Sequence, residues 1–341
     1  MMDFANKLED DTSALALPTG RRVGGQGHDV AREFLLARLA EIDVQPFSGD
    51  SLELPFEHDG VAFTNVVGVL RGSDPDARPV LLGAHYDSAL DAPSADDNAT
   101  GVAVALAIAE HLAGDEGRRR DLVIALFDSG SPPFQDTGAM GSTRFYDDHC
   151  HGVNFACAIV MDLIGHDVEI QHPAAAMMPA LKRMLFVLGA ESDSALPEVV
   201  EWAAGEAKGL KVFPTLNGYL PDTSDHRAFR LGGQPFLFLS CGPGEHYRKP
   251  TDDLSWINFE KLRHVAAFVA DLISRLDRSE PAGETCDPVD FEIRMIKKVV
   301  GMAFPMLLKM AGLQPLKSRD DVDALAKRLL ESATAEKPEE G

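Results

Sequence analysis

Three short segments of this sequence carry side chains that could form a metal site. His85 and Asp87 directly follow the apolar run 80–84, and Asp162 follows a second apolar run. Asp96 stands in the polar segment that opens a long apolar helix. A neutral imidazole and carboxylates at strand ends suit a borderline ion such as zinc, which takes nitrogen and oxygen ligands. The sequence therefore predicts a site at His85, Asp96 and Asp162, with Asp87 orienting the imidazole.

Each segment also has a simpler interpretation when it is taken alone. A His-x-Asp after a strand is commonly a surface hydrogen-bonded pair, and residues 96–101 could cap a helix through Asn98 or Thr100. Carboxylates just before a helix also favour its dipole. The joint arrangement favours a site, because side chains at the ends of neighbouring buried parallel strands converge at one edge of the sheet.

The composition indicates an ordinary globular protein, and the net charge argues against two classes of binding partner. Of 341 residues, 45% are hydrophobic and 25% are charged, which allows one large α/β domain or two smaller ones. The 32 basic and 54 acidic residues give a net charge of −22, which argues against nucleic acid and anionic membranes. The N-terminus lacks the pattern of a signal peptide, and the four cysteines lack metal-ligand spacing. We therefore expect a cytoplasmic protein with reduced cysteines.

Apolar runs alternate with helical periodicity along the chain, which predicts an α/β fold. Strands are predicted at 63–70, 80–84, 122–127, 156–161 and 236–240. Helices are predicted at 30–42, 102–112, 178–188, 198–208 and 259–276. We expect a three-layer α/β/α domain with a mixed, mostly parallel central sheet and ligands at the carboxyl ends of its strands.

A domain boundary is expected near Arg278, where the polar segment 279–285 begins. Beyond it, residues 295–310 are apolar and rich in methionine, but the stretch is shorter than the ~20 apolar residues of a membrane span. Residues 320–332 have the spacing of an amphipathic helix. The sequence thus predicts a main domain over 1–278 and a linker with a helical extension over 279–341. The extension would pack on the domain or on a second subunit, as in a homo-oligomer.

Seven segments, in order, resemble the zinc-dependent exopeptidases that include bacterial leucine aminopeptidases, glutamate carboxypeptidase and glutaminyl cyclase. The matching segments are 22–25, 85–88, 96–101, 140–142, 162–165, 224–226 and 250–253. The resemblance covers most of residues 20–278. It implies the zinc-exopeptidase fold, descent from an aminopeptidase-like metallohydrolase, and a small peptide or aminoacyl substrate bound in a cleft.

The chemistry of that family uses two zinc ions bridged by one carboxylate. The resemblance implies that His85 and Asp162 hold the first ion and that Asp96 is the bridge. The second ion requires the bridge, a glutamate and a late histidine, and a neighbouring glutamate acts as general base. By the same resemblance, the substrate cleft is lined by Asp225, His226, Tyr247 and Arg248.

The second half of this expected centre is replaced in the sequence. Gly130 stands where the general base is expected, Ser131 where the glutamate ligand is expected, and Arg248 where the late histidine is expected. An arginine near Asp96 could supply part of the positive charge of the second ion. The alternative is that Arg248 points to solvent and His246 enters as a ligand through a local register shift.

A general base contributes about 10²–10⁴ in rate, so its loss predicts weak, altered or absent peptidase activity. We expect an aminopeptidase-like metallohydrolase homologue that holds at most one zinc ion per chain. A non-catalytic peptide- or metal-binding protein and a glutaminyl-cyclase-like transferase remain the alternatives.

Overall fold

The computed structural model describes residues 5–115, 117–169, 179–310 and 312–334. Within these ranges the strands are β1 (Gln45–Pro46), β2 (Glu53–His58), β3 (Val61–Leu70), β4 (Val80–His85), β5 (Leu122–Phe127), β6 (Cys157–Met161), β7 (Met184–Leu188), β8 (Lys211–Thr215) and β9 (Phe236–Ser240). They form one sheet in the order β1-β3-β5-β4-β6-β9-β7-β8, and β2 also pairs with β3.

Helices flank this sheet and form its outer layers. In the described ranges they are α1 (Ala5–Leu15), α2 (Gln26–Glu41), α3 (Thr100–Ala113), α4 (Gly141–His149), α5 (Leu196–Glu206), α6 (His226–Leu231), α7 (Phe259–Asp277), α8 (Val289–Val300), α9 (Phe304–Met310) and α10 (Arg319–Thr334). None of these described helices combines the length and apolar character that crossing a bilayer requires.

The centre of the sheet is parallel, and antiparallel pairs join it to the strands on either side. Strands β5, β4, β6 and β9 run parallel to one another, whereas β3 pairs antiparallel with β5, and β7 with β9. Every residue of β4, β5 and β6 is buried, as expected of parallel strands covered by helices on both faces. The predicted three-layer fold with a mixed, mostly parallel sheet is confirmed.

One predicted helix is wrong, and its segment forms part of the sheet. Residues 184–188 form β7, which lies between β8 and β9, and residues 179–183 form a short helical turn. Met178, where the helix was predicted to begin, lies outside the described residues. A short apolar run fits a buried strand and a buried helix equally well, so its periodicity could not distinguish them.

The extension after residue 278 packs directly on the rest of the chain. The Asp193 carboxylate accepts hydrogen bonds from the backbone N–H groups of Ala282 at 3.0 Å and Gly283 at 2.7 Å, which fix the predicted linker. Apolar residues of α8 join the main hydrophobic core, and the helix packs beside β8. The division into two units at residue 278 stays a prediction.

Candidate metal centre

Three side chains meet at the carboxyl edge of the sheet. His85 is the last residue of β4, Asp162 follows the neighbouring strand β6, and Asp97 lies in the loop that leads into α3. His85 Nε2 lies 3.5 Å from Asp97 Oδ1 and 3.7 Å from Asp162 Oδ1. In the described part of the chain, these three residues form a group whose ligand atoms all lie within 4.8 Å of one another.

This geometry fits a single zinc ion. Ligand atoms about 2.0–2.2 Å from a tetrahedral zinc ion lie roughly 3.3–3.6 Å apart, close to the two distances from His85. Asp162 Oδ1 is buried and has no hydrogen-bond partner among the described residues, so its lone pairs are available to a cation. A buried carboxylate oxygen without a donor is otherwise costly.

The structure puts Asp97, and not the predicted Asp96, into this group. Asp96 Oδ1 accepts hydrogen bonds from Gly165 N at 2.6 Å and Thr100 Oγ1 at 3.0 Å, and Asp96 Oδ2 lies 2.5 Å from His166 Nδ1. Its carboxylate is therefore satisfied by protein groups. Adjacent residues of an irregular segment point in different directions, and the sequence offers two aspartates without showing which one faces the cleft.

Backbone contacts hold the Asp97 loop in place. The Asp252 carboxylate accepts hydrogen bonds from Asp96 N at 2.9 Å and Asp97 N at 3.1 Å, and Asn98 Nδ2 donates to Met161 O at 2.8 Å. The fully buried Arg21 donates to several backbone carbonyls of this region, including Asp97 O at 3.4 Å. Sequence reasoning missed the roles of Arg21 and Asp252, although both stand in or next to matched segments.

Asp87 links the imidazole to residues 130 and 131, where the family resemblance predicts glutamates. Asp87 Oδ1 lies 3.3 Å from His85 Nδ1, and the carboxylate accepts hydrogen bonds from Gly130 N at 2.7 Å and Ser131 N at 3.0 Å. Asp87 thus lies where it can orient His85. The backbone of the altered segment stabilises that arrangement.

Gly130 has no room for a side chain in this backbone. A Cβ atom built on Gly130 would lie 2.4 Å from His85 Cβ and 2.5 Å from His85 Cγ, well inside van der Waals contact. Ser131 Oγ is buried and has no hydrogen-bond partner among the described residues. Both positions expected to carry glutamates therefore lie against the site without supplying a carboxylate.

Arg248 was expected to enter the cleft and pair with Asp96, but its side chain pairs with other residues. Its guanidinium donates a hydrogen bond to Gln135 Oε1 and lies 4.7 Å from the centre of the Tyr247 ring. The arginine is exposed and forms no ion pair with a described carboxylate. Its charge still acts on the site, because it lowers the pKa of Asp97 against the stronger effects of burial and Asp162.

His246 does not face the cluster either. Its Nδ1 lies 2.7 Å from Thr251 Oγ1, and its ring packs 4.1 Å from that of Trp256. The structure therefore gives no support to His246 as a ligand. The contacts of the imidazole ring are with Thr251 and Trp256.

Two residues expected in the cleft wall, Asp225 and His226, are buried. Neither Asp225 oxygen has a hydrogen-bond partner of good geometry among the described residues. Burial raises the pKa of Asp225 to about 6, although the His85 charge acts in the opposite direction. His226 stacks on Phe238 with ring centres 4.3 Å apart, and its Nε2 lies 2.9 Å from Asp222 Oδ1.

Comparison with known proteins agrees with this site and fold. Residues 65–273 match Peptidase family M28. The chain belongs to peptidase family M28. Its membership supports a peptidase-like metallohydrolase and implies zinc as the metal.

Comparison with individual proteins also finds a similar protein. A "Probable zinc metalloprotease" of Pyrenophora tritici-repentis (strain Pt-1C-BFP) is 25% identical over 285 residues, which cover 72% of this chain and 57% of that protein. This M28 chain thus spans little more than half the length of that relative.

Solved structures show the same fold at low sequence identity. LapB from Legionella pneumophila superposes with a TM-score of 0.66 at 16% identity, over 82% of this chain and 73% of that chain. Glutaminyl cyclase from Porphyromonas gingivalis gives a TM-score of 0.63 at 22% identity, over 81% of this chain and 99% of that chain. The zinc-exopeptidase-like fold of this M28 protein is confirmed.

Two buried carboxyl groups near the site have raised pKa values, so they remain protonated at mildly acidic pH. Burial, together with the Asp162 charge, raises the pKa of Asp97 to about 7. Burial also raises the pKa of Asp252 to about 6. Burial would likewise raise the pKa of Asp87, but hydrogen bonds from His85, Gly130 and Ser131 bring it below its usual range.

We expect the chelator-treated M28 protein to lose stability as the pH rises from 5 to 8. In the unfolded chain, Asp97, Asp225 and Asp252 ionise near pH 4, so only the folded state releases their protons over this range. The free energy of unfolding should therefore fall by at least about 2 kcal/mol. Urea unfolding at several pH values measures this free energy. Saturating zinc should reverse the trend, and a flat or rising curve without zinc would contradict these pKa directions.

Proposed function

We propose that this protein is an M28 metallohydrolase homologue that holds one zinc ion at His85, Asp97 and Asp162 and has lost the two-metal aminopeptidase reaction. Hydrolysis of N-terminal peptide or amide bonds is then at or near background. The ligand is a small peptide or aminoacyl compound bound in the cleft beside Tyr247 and Arg248.

The observation that carries this proposal is the contact between Gly130 and His85. The position that should hold the general base has no side chain and no space for one, since a Cβ there would lie 2.4 Å from His85 Cβ. The backbone N–H of Gly130 instead donates to Asp87, which supports the first metal position. The altered segment thus stabilises one half of the centre and supplies nothing to the other half.

The remaining residues have definite roles in a one-metal site. His85, Asp97 and Asp162 would hold the ion, and Asp87, 3.3 Å from His85 Nδ1, would orient the imidazole ring. When bound, zinc supplies Lewis acidity toward an amide carbonyl. Asp97 would have to be ionised to act as a ligand, although burial and the charge of Asp162 raise its pKa to about 7.

An assay on zinc-loaded protein tests the proposal. We expect aminoacyl p-nitroanilides and N-terminal dipeptides to be hydrolysed at or near the rate of the His85→Ala variant, which serves as the matched background. Turnover near the ~10 s⁻¹ of a typical enzyme would refute the proposed loss of activity and would require a base outside the Gly130 segment.

A second candidate function, cyclisation of an N-terminal glutaminyl residue, is favoured by Asp225. In that reaction the substrate's own amine attacks its side-chain amide, so no water molecule has to be activated. A single Lewis acid and a group that exchanges one proton suffice. Asp225 is buried, has unpaired oxygens and a pKa of about 6, and lies within electrostatic reach of His85 and Asp162.

Mass spectrometry distinguishes the two candidates, because cyclisation of a glutaminyl peptide removes 17 Da as ammonia, whereas hydrolysis removes the first residue. We expect neither product above background. Loss of ammonia that requires Asp225, shown by its absence in Asp225→Asn, would replace the first candidate by the second. Zinc and peptide binding without either product supports the non-catalytic form of the proposal.

A further inference from the structure

The last helix of the extension contacts a loop that belongs to the metal cleft. Arg319, the first residue of α10, donates a hydrogen bond from Nη1 to the Tyr219 hydroxyl at 3.1 Å. That hydroxyl donates to Asp323, one turn further along the same helix. Tyr219 belongs to residues 217–224, here named the cleft loop. The family match ends at residue 273, so nothing in it assigns a role to α10.

Arg319 is itself anchored to the body of the protein. Its guanidinium also donates to Asp287 and to Glu292, and Glu292 is buried on α8, whose apolar side chains join the main core. The start of the cleft loop is fixed nearby, because Glu191 Oε1 accepts a hydrogen bond from Asn217 N at 2.8 Å. The contact between α10 and Tyr219 is therefore made against a rigid support.

The other end of the cleft loop reaches a proposed metal ligand. Ser224 Oγ donates a hydrogen bond to Asp162 Oδ2 at 3.1 Å. The backbone oxygen of Thr223 accepts from Gln135 Nε2 at 2.6 Å, and Gln135 in turn accepts from Arg248. The loop thus contacts the ligand Asp162 directly and is linked to Arg248 through the side chain of Gln135.

Asp222 connects the first residue of the cleft loop to α6, the helix that follows the loop. Its carboxylate accepts hydrogen bonds from Asn217 Nδ2 at 3.3 Å and Arg230 Nε at 2.7 Å, and it lies 2.9 Å from His226 Nε2. These contacts restrict the backbone between Tyr219 and Ser224. Tyr219 and Ser224 thus lie on either side of a residue that is held by three side chains.

We propose that α10 is a positioning element for the metal centre. Arg319 and Asp323 hold Tyr219, and the cleft loop then holds Ser224 against Asp162. This inference rests on the proposed one-zinc site, because the group being positioned is a zinc ligand. By reciprocity, zinc binding stabilises the docking of α10, and loss of the Tyr219 contact weakens zinc binding by the same factor.

The test combines amide hydrogen exchange on chelator-treated protein with zinc titration in the full chain. Tyr219→Phe removes only the hydroxyl, and Arg319→Gln removes its donor. Arg319→Gln also leaves the buried Glu292 unpaired, so Tyr219→Phe serves as the milder variant. Arg294→Gln is the matched control, because Arg294 is an exposed residue of α8 that pairs with Glu201 of α5 and has no described contact with the cleft loop.

In both variants we expect exchange of the 217–224 amides to become about 2- to 10-fold faster, the factor that one net hydrogen bond supplies. The dissociation constant for zinc should rise by about the same factor, and Arg294→Gln should change neither quantity. Unchanged exchange in the cleft loop would overturn the inference, as would faster exchange with unchanged zinc affinity. A wild-type chain that binds no zinc would instead refute the proposed function and the coupling to zinc with it.

Discussion

Replacing Asp97 by asparagine should weaken zinc binding by at least about 100-fold, whereas Asp96→Asn should weaken it by less than about 10-fold. Asp97 presents its carboxylate to His85 and Asp162, so an amide there removes one of three anionic or imidazole ligands. Asp96 is satisfied by Gly165 N, Thr100 Oγ1 and His166, and it acts only on the fold of the loop. Competition with a chromogenic chelator measures both constants.

The two variants also show whether the zinc ligand is Asp97, as the structure indicates, or Asp96, as the sequence predicted. Both substitutions replace a carboxylate by an amide at neighbouring positions of the zinc-loaded protein, so a general electrostatic effect would weaken zinc binding alike in both. A larger loss of zinc affinity in Asp96→Asn than in Asp97→Asn would show that Asp96 is the ligand. Circular dichroism of both variants controls for unfolding of the loop and of α3.

Placing a glutamate at position 130 should destabilise the protein and should not raise peptidase activity above background. Even the Cβ atom of Gly130→Ala would overlap His85, so we expect that variant to lose about 1–3 kcal/mol and Gly130→Glu to lose more. The clash falls on a proposed zinc ligand, so zinc affinity should fall as well. Urea unfolding and zinc titration give the two quantities.

A glycine with open surroundings provides the matched control for this prediction. Gly205 lies near the end of α5, and a Cβ there would meet nothing within 4 Å. Gly205→Ala should therefore stabilise the protein by about 0.5–1 kcal/mol. A Gly130→Glu variant that is as stable as the wild type and hydrolyses aminoacyl amides would refute the steric argument.

The elements that position the site could be predicted from the sequence because they lie in the buried centre of the sheet. β4, β5 and β6 are short, uninterrupted apolar runs, and the polar residues that follow β4 and β6 necessarily meet at one edge. Segment 184–188 is equally apolar but stands alone between loops, so only its pairing with β8 and β9 decides that it is a strand.

The details of the site depend on which way each side chain points from the backbone, and sequence patterns do not show this. The choice between Asp96 and Asp97 is made by contacts with Asp252 and Gly165, which are distant in sequence. The side chain of Arg248 was expected to fill the place of the second ion, yet Gln135 offers it a nearer partner. Neither contact follows from residue type or spacing.

The most direct test of the account is the zinc content of the wild-type chain. The protein would be purified without chelator, incubated with excess zinc, dialysed and analysed by inductively coupled plasma mass spectrometry. We predict one equivalent of zinc per chain, which should be absent from His85→Ala. Two equivalents retained per chain would contradict the claim that this M28 protein keeps only the metal position formed by His85, Asp97 and Asp162.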